Sequence, residues 1–376
     1  MSNVRSSRWV LALALLGNLG AGLAQAQTAA DAQRDNTGYG TTAGEFMLLG
    51  AGARGTALGS AFSSIADDAT SLYYNPAGMA AMSRPGVSIG TYDYVAETRY
   101  TWGGIVFPFS EGARAIGLQV GTFGFGDQKV YTVDDPDGLA TGTYSVRETF
   151  VGLSLAQNFS DRFSAGITAK GIFDNLGQAT GQAFAVDFGA NFHASLSGHP
   201  IRLGFTLQNL GTNLSYSGDA LNVDVPRDNT GNVTNLPQPG QLRTKGFNLP
   251  TVFRVGLAYD LLGGNSNRLT LLSDFNQMSS NRAGFSAGGE WALNQVGGTP
   301  FGVALRGSYT YAPANNFDLT NPLSDTALND EENLQGLGLG GGVNYSHNNF
   351  NVGVDYAYRY MGILGATNFF SFSFGW

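Results

Sequence analysis

The chain has no cysteine, which rules out a disulfide framework and thiol chemistry. Histidine is almost as scarce: His193, His199 and His347 are the three present, far apart and without metal-ligand spacing. Charge is sparse too, at 13% Asp, Glu, Lys and Arg, where soluble domains carry about 25%. Beyond residue 27 no long apolar run occurs, so the sequence offers no transmembrane helix. No G-x-S-x-G elbow is paired with a plausible histidine on a facing strand. Together these absences point to a non-enzyme without a cofactor. The net charge of −8 argues against nucleic acid as a partner.

Glycine and aromatics are abundant instead, with 54 Gly, 25 Phe and 16 Tyr. Low charge, no helical span and many aromatics favour a β-barrel whose outer wall faces lipid. The first residues agree with export. Arg5 and Arg8 precede a short apolar core that ends in Ala24-Gln25-Ala26, which reads as a signal peptide, residues 1–26. A membrane anchor is the alternative, but "GNLGAG" interrupts the run short of the roughly 20 residues a spanning helix needs. Residues 27–44 read as a flexible N-terminal segment. Cleavage removes two arginines and no acid, so the mature chain is more acidic still.

From residue 83 to 376 period-two segments recur, and turn residues separate them. In "FNVGVDYAYRY", Phe350, Val352, Val354, Tyr356, Tyr358 and Tyr360 share one face while Asn351, Asp355 and Arg359 share the other. "FGVALRGSYTY" and "TVFRVGLAYD" alternate in the same way, and "AFAVDFGANF" sets Phe184, Phe188 and Phe192 against Asp187 and Asn191. Such alternation places successive side chains on opposite faces of a strand. The pattern predicts fourteen antiparallel strands, at 86–95, 98–108, 112–123, 144–158, 163–174, 182–193, 201–210, 251–260, 268–278, 284–293, 301–311, 334–344, 350–360 and 368–376. A soluble sandwich would also alternate, but these strands are long, alike, and aromatic near their ends, as a membrane girdle requires. The links after strands 3, 7 and 11 are long and those after even-numbered strands are short, the asymmetry of an outer-membrane barrel. The expectation is therefore a diderm outer membrane, with both termini periplasmic and lipid and lipopolysaccharide around the wall.

Residues 45–82 break the alternation and read as a short helical hatch inside the lumen. Asp67 or Asp68 can cap a turn through Leu72 and Tyr73. Asn75 can cap the next turn, which Pro76 begins and Ala77 and Gly78 continue. A flexible leader, the alternative, would be more polar. Gly50 to Gly55 fits G-x-G-x-x-G, but no βαβ unit surrounds it. The stretch "GARGTALGSAFSSIADDATSLYYNPAGMA", with "LQNLG" at 207–211 and "LPTVFRVGLAYD" at 249–260, resembles the PorV/PorQ group within the wider FadL-like fold. The resemblance covers residues 44–376 and implies a hatch in which Asn75-Pro76-Ala77 matches the family's NPA element. It also implies one of two functions. PorV-type barrels serve type IX protein secretion, receiving cargo proteins from the translocon through surface loops. FadL-type barrels pass hydrophobic compounds through a side opening in the wall. A structural envelope role is a third reading.

Arg254, Arg306 and Arg359 fall on the lumen face, where they either line a polar channel or pair with Asp187, Asp260 and Asp355. Acidic stretches at 133–138 and 329–333 are solvated loops by default, with calcium as the alternative. Phe370, Phe372, Phe374 and Trp376 close the chain on one aromatic face. Such a C-terminal strand resembles the signal that barrel-assembly machinery reads. Trp376→Ser, or removal of 370–376, is expected to lower the amount of heat-modifiable, folded barrel in outer-membrane fractions; unchanged levels would remove the assembly role.

Overall fold

The computed structural model describes residues 40–139, 141–225, 238–264, 266–281, 283–311, 336–347 and 350–376. Its frame is a closed ring of fourteen antiparallel strands. In chain order they are β1 (Gly86–Asp93), β2 (Arg99–Phe109), β3 (Arg114–Lys129), β4 (Thr143–Ser160), β5 (Phe163–Leu176), β6 (Ala179–Leu196) and β7 (His199–Gly211). There follow β8 (Val252–Gly263), β9 (Asn267–Met278), β10 (Gly284–Leu293), β11 (Phe301–Tyr311), β12 (Leu337–His347), β13 (Phe350–Tyr360) and β14 (Ala366–Gly375). Each strand pairs with its neighbours in sequence, and β14 pairs back onto β1. Closure leaves no free sheet edge, which a wall in hydrocarbon requires.

Alternation sorts the two faces. Leu153, Phe184, Leu305, Val354 and Phe370 point outward and are exposed, whereas Phe150, Asp187, Glu290, Ala357 and Ser371 point inward and are buried. Phe372 and Trp376 lie on the outer face with Phe370, Phe374 stacks on Trp376, and Trp376 meets Phe107 edge-on. The aromatic end of the chain thus covers the foot of the β14–β1–β2 wall.

Some boundaries differ from the alternation pattern. β12 lies three residues later than expected, because "LGLGGG" has too few side chains to show a period. β3, β4 and β6 run longer than expected, since their polar ends carry no hydrophobic alternation. Within the long link after β7, residues 215–217 add a short strand to β6, and Asn222–Val225 pairs with Gln238–Gln241. The signal-peptide reading of 1–26, most of the 27–44 segment and the acidic 329–333 stretch lie outside the described residues.

Residues 45–82 lie inside the ring. They form a 3-10 turn (Glu45–Leu48), helix α1 (Gly52–Ala57), helix α2 (Ser71–Tyr74) and a second 3-10 turn (Pro76–Ala81). Thr42 bridges to Asn248 in the long link after β7, so the hatch starts on the long-link side and descends to β1 on the other. Both helices are far too short to be stable alone, so packing must hold them. The wall admits the hatch backbone because it presents glycine where the approach is closest. A Cβ on Gly204 would stand 2.4 Å from Ser63 O, one on Gly166 2.5 Å from Pro76 C, and one on Gly189 2.2 Å from Asn75 Oδ1. Gly340 faces Ala57 in the same way, with 2.4 Å to its Cβ. Part of the chain's glycine excess is therefore a docking surface, beside the glycines that serve turns. Gly204→Ala is expected to cost about 1–3 kcal/mol through overpacking and to loosen the hatch. A lowered temperature of heat modification and a raised bilayer conductance would show this; both unchanged would contradict close packing at Ser63.

Candidate functional site: the hatch and its wall

The hatch is built from local rules first. Asn75 is extended, and its Oδ1 accepts from Ala77 N at 3.1 Å, with Pro76 opening the turn that follows. Its Nδ2 donates to Ser63 O and to Asn191 Oδ1, both at 2.7 Å, so one side chain ties two hatch turns to β6. Neither aspartate caps α2, whose N-cap is Thr70: Asp68 accepts from Thr70 N at 2.8 Å in the turn before it, and both Asp67 and Asp68 are drawn to Arg54. Tyr73 and Tyr74 hydroxyls accept from Gly50 N and Ala51 N, which pins the "GAG" turn. Burial pushes both phenols up in pKa, so they stay neutral donors and acceptors. Gly78 has no room for a side chain: a Cβ would meet Ala66 O at 1.8 Å. The G-x-G-x-x-G match at 50–55 likewise marks tight hatch packing, since a Cβ on Gly55 would meet the Tyr74 ring at 2.5 Å.

Wall side chains then satisfy the hatch backbone all round. Ser371 Oγ accepts from Ala53 N at 3.0 Å, and Asp274 Oδ2 accepts from Ser63 N at 3.1 Å. Ser308 Oγ donates to Ala57 O, Gln119 Nε2 to Leu72 O and Asn158 Nδ2 to Ala80 O, at 2.9, 2.7 and 2.8 Å. Gln208 Nε2 donates to Tyr73 O, and Arg254 holds that amide by its Oε1 at 2.9 Å. Short helices leave many orphan backbone groups, and these bonds absorb them.

The strongest anchor is ionic. Arg54 on α1 grips Glu290 of β10 with two hydrogen bonds, at 2.8 and 3.0 Å, and reaches Asp67 at 2.6 Å and Asp68 at 2.8 Å. Arg306 bonds Glu290 at 2.8 Å and Asp355 at 2.6 Å, and Arg268 adds a third cation to Glu290 at 3.1 Å. Burial opposes charge on Arg54, but Asp67, Glu290 and Asp68 outweigh it and hold its pKa well above the ordinary value. Burial likewise opposes charge on Asp67, and Arg54 outweighs it, so this carboxyl sits below its ordinary range.

The other inward charges pair differently from the simplest sequence match. Asp187 pairs with Lys170 at 2.6 Å rather than with an arginine, and Asp260 pairs with Arg202. Lys170 also donates to Asn209 Oδ1 at 2.9 Å, and Asp187 accepts from Asn209 N at 2.8 Å. That cluster locks the bulge where Asn209 adopts a positive φ of 58°. Arg306 and Asp355 do meet. Arg359 faces the lumen with no partner among the described residues. In the 133–138 stretch the Asp135 carboxylate accepts from Leu139 N and Thr141 N, capping its own loop. No group of His, Asp and Glu that could hold a metal ion occurs among the described residues. Sequence reasoning missed Arg54, Glu290, Lys170 and Gln208. Their inward register was readable, but their hatch or bulge partners were not.

Above the helices, on the long-link side, the interior is apolar beside β1, β2 and β14, whereas beside β5 and β6 it carries Asp174, hydrogen-bonded by Tyr216 at 2.8 Å. Phe46, Phe150, Ile172, Tyr92, Tyr100, Trp102 and Phe369 join one buried cluster with the hatch. The Gly50–Gly52 turn lies against the wall at Tyr92, Tyr100, Trp102 and Phe369 with no room for a water between them.

No protein-family model matches the chain, and no curated protein does. Solved structures do. The toluene transporter TbuX of Ralstonia pickettii superposes with a TM-score of 0.52 at 12% identity, over 88% of this chain and 98% of that one. The Pseudomonas putida toluene transporter TodX gives 0.51 at 12%, over 87% and 98%, and the CymD monoaromatic hydrocarbon channel gives 0.50 at 12%, over 87% and 97%. The fold is that of the FadL-like outer-membrane barrels.

Arg54→Ala removes the hatch's charged hydrogen bonds to Glu290 but leaves that carboxylate Arg306 and Arg268, so it is expected to destabilise hatch docking by about 1.5–3 kcal/mol, read as a conductance rise in planar bilayers. Asp67 is partly exposed, so Asp67→Asn should cost only about 1 kcal/mol or less. Because its folded pKa is depressed, its contribution is complete above about pH 4 and fades as pH falls further. Wild-type conductance should therefore step up in strong acid, and that step should shrink in Asp67→Asn. A strong-acid step of the same size in both would contradict the assignment.

Proposed function

We propose that this barrel resides in the outer membrane, with the long links outside and the chain leaving the wall on the periplasmic side, and that it admits small hydrophobic molecules by a FadL-like route. The observation that carries this reading is the cluster of buried rings above the hatch, Phe46, Phe150, Tyr92, Tyr100, Trp102 and Phe369. A polar pore would not present Trp102, Tyr100, Phe369 and Phe150 to its cargo. The neighbours of the same fold, described as toluene transporters and a monoaromatic hydrocarbon channel, support the same class of cargo. The protein's contribution would be to exclude water with a docked hatch and to offer an apolar path past the lipopolysaccharide leaflet.

A second reading rests on the signature "GARGTALGSAFSSIADDATSLYYNPAGMA". It favours a PorV/PorQ-type accessory of type IX secretion, in which a filled lumen is acceptable because the partners are cargo or translocon proteins met at the long links. Barrel-assembly machinery is a proposed partner under either reading, through the C-terminal aromatics.

The two readings separate in cells of a lipopolysaccharide-bearing host. Transport requires saturable uptake of radiolabelled naphthalene that depends on expression of the barrel. The secretion reading requires instead that cross-linkers placed at 213–221 or 239–247 capture secreted or translocon proteins in the native organism, without such uptake.

A further inference from the structure

The wall does not stop where β7 ends. Residues 215–217, in the long link after β7, pair with the first residues of β6, from Gln182↔Ser215 to Thr180↔Ser217. Two contacts fix them. Tyr216 Oη donates to Asp174 Oδ2 at 2.8 Å, and Tyr216 N donates to Thr244 Oγ1 at 2.8 Å. Asp174 is an inward group, so Tyr216 turns inward with it and alternation turns Ser215 and Ser217 to the outer face. The short strand thus extends the outer face of the β4–β5–β6 wall on the long-link side.

A groove of about 720 Å³ lies on that face, a volume in the range of ligand sites. Its upper row runs by register from Arg147 through Asn175 and Thr180, and its lower row from Thr149 through Phe173 and Gln182. The 215–217 strand closes both rows. Between them Asp174 and Tyr216 face the lumen, so no carboxylate of the described residues points into the groove. Arg147, Asn175 and Gln182 have no side-chain partner among the described residues, which leaves a guanidinium and two planar amides free for a ligand. The Phe173 ring stands exposed beside them. Below the groove the same face becomes apolar: Val151, Phe184 and Leu210 are exposed there. Such a change marks the lipid–water boundary.

We propose that this groove binds one lipopolysaccharide molecule by its phosphorylated glucosamine, with Arg147 on the phosphate. A ligand that fits the groove and the wall below it must be amphiphilic. Its acyl chains lie on Val151 and Phe184, and its head must bond amides and hydroxyls. Sugar hydroxyls meet Asn175, Gln182 and the neighbouring serines and threonines as donors and acceptors, and the apolar face of a sugar ring covers Phe173. An unpaired guanidinium with no carboxylate beside it suits a phosphate, which it bonds with two parallel N–H groups. A glycerophospholipid offers the phosphate and the chains but no sugar, and would leave the amides unmet. The proposal needs only the outer-membrane placement, so it stands under either reading of function. Because Ser215 and Ser217 belong to the long link after β7, the bound lipid braces that link against β6.

Native mass spectrometry of the whole barrel in detergent, titrated with bisphosphorylated lipid A, tests the site. One lipid A per barrel should bind in preference to phosphatidylglycerol, which lacks the sugar, and to dodecyl maltoside, which lacks the phosphate. Arg147→Ala should weaken lipid A binding about tenfold, the loss of one charged hydrogen-bonding group. Arg99→Ala is the control, since Arg99 is an exposed cation of the outer face far from the groove, and it should change nothing. Equal lipid A affinity in Arg147→Ala and the unsubstituted barrel would overturn the site. Phosphatidylglycerol bound as tightly as lipid A, or an equal loss in Arg99→Ala, would also overturn it, because either describes a general attraction of anionic lipid. Should Arg147→Ala fail to assemble, Asn175→Ala with Gln182→Ala decides by the same titration: weaker lipid A binding supports the groove, and unchanged binding overturns it.

Discussion

A ring of fourteen strands encloses more space than its own inward side chains can fill; about eight strands is the width that side chains alone can close. Everything inside this barrel follows from that surplus. The hatch supplies the missing volume, but as two short helices and two 3-10 turns it brings many unpaired backbone groups with it. The wall must therefore do two things at once. It recedes to glycine at Gly166, Gly189, Gly204 and Gly340, and between these sites it offers Ser308, Gln119, Asn158, Asp274 and Ser371 to the hatch backbone.

The same division explains the distribution of charge. Few charges exist, and most of the buried ones are paired or hydrogen-bonded. Glu290 collects Arg54, Arg268 and Arg306, and Asp187 collects Lys170. A charge left unpaired in this interior would be costly, so the hatch is registered on β10 by ionic geometry as well as by shape. On the long-link side, beside β1, β2 and β14, the ionic contacts give way to rings.

The wall was readable from the sequence because lipid imposes a period of two: "FNVGVDYAYRY" and "FGVALRGSYTY" announce their faces without any tertiary information. β12 was harder to place, since "LGLGGG" has backbone but hardly any side chains to alternate. The hatch turns were readable at Asn75 and Pro76, whose capping chemistry is local. The gripping residues were not. Glu290 sits alone in "AGGEWAL" and gains its partner Arg54 from a segment 236 residues away, a pairing that only closure of the barrel creates. The bulge at Asn209 was equally hidden, because its cause, the Lys170–Asp187 pair, comes from two other strands.

The central claim is that the hatch belongs to the barrel's packed interior and is no loose insert. Hydrogen–deuterium exchange of the wild-type barrel in lipid at neutral pH tests it most directly, at the amides of Ala53 and Ser63, which donate to Ser371 and Asp274 of the wall. The account predicts protection comparable to that of the barrel strands themselves. Exchange at the rate of an exposed loop would contradict it.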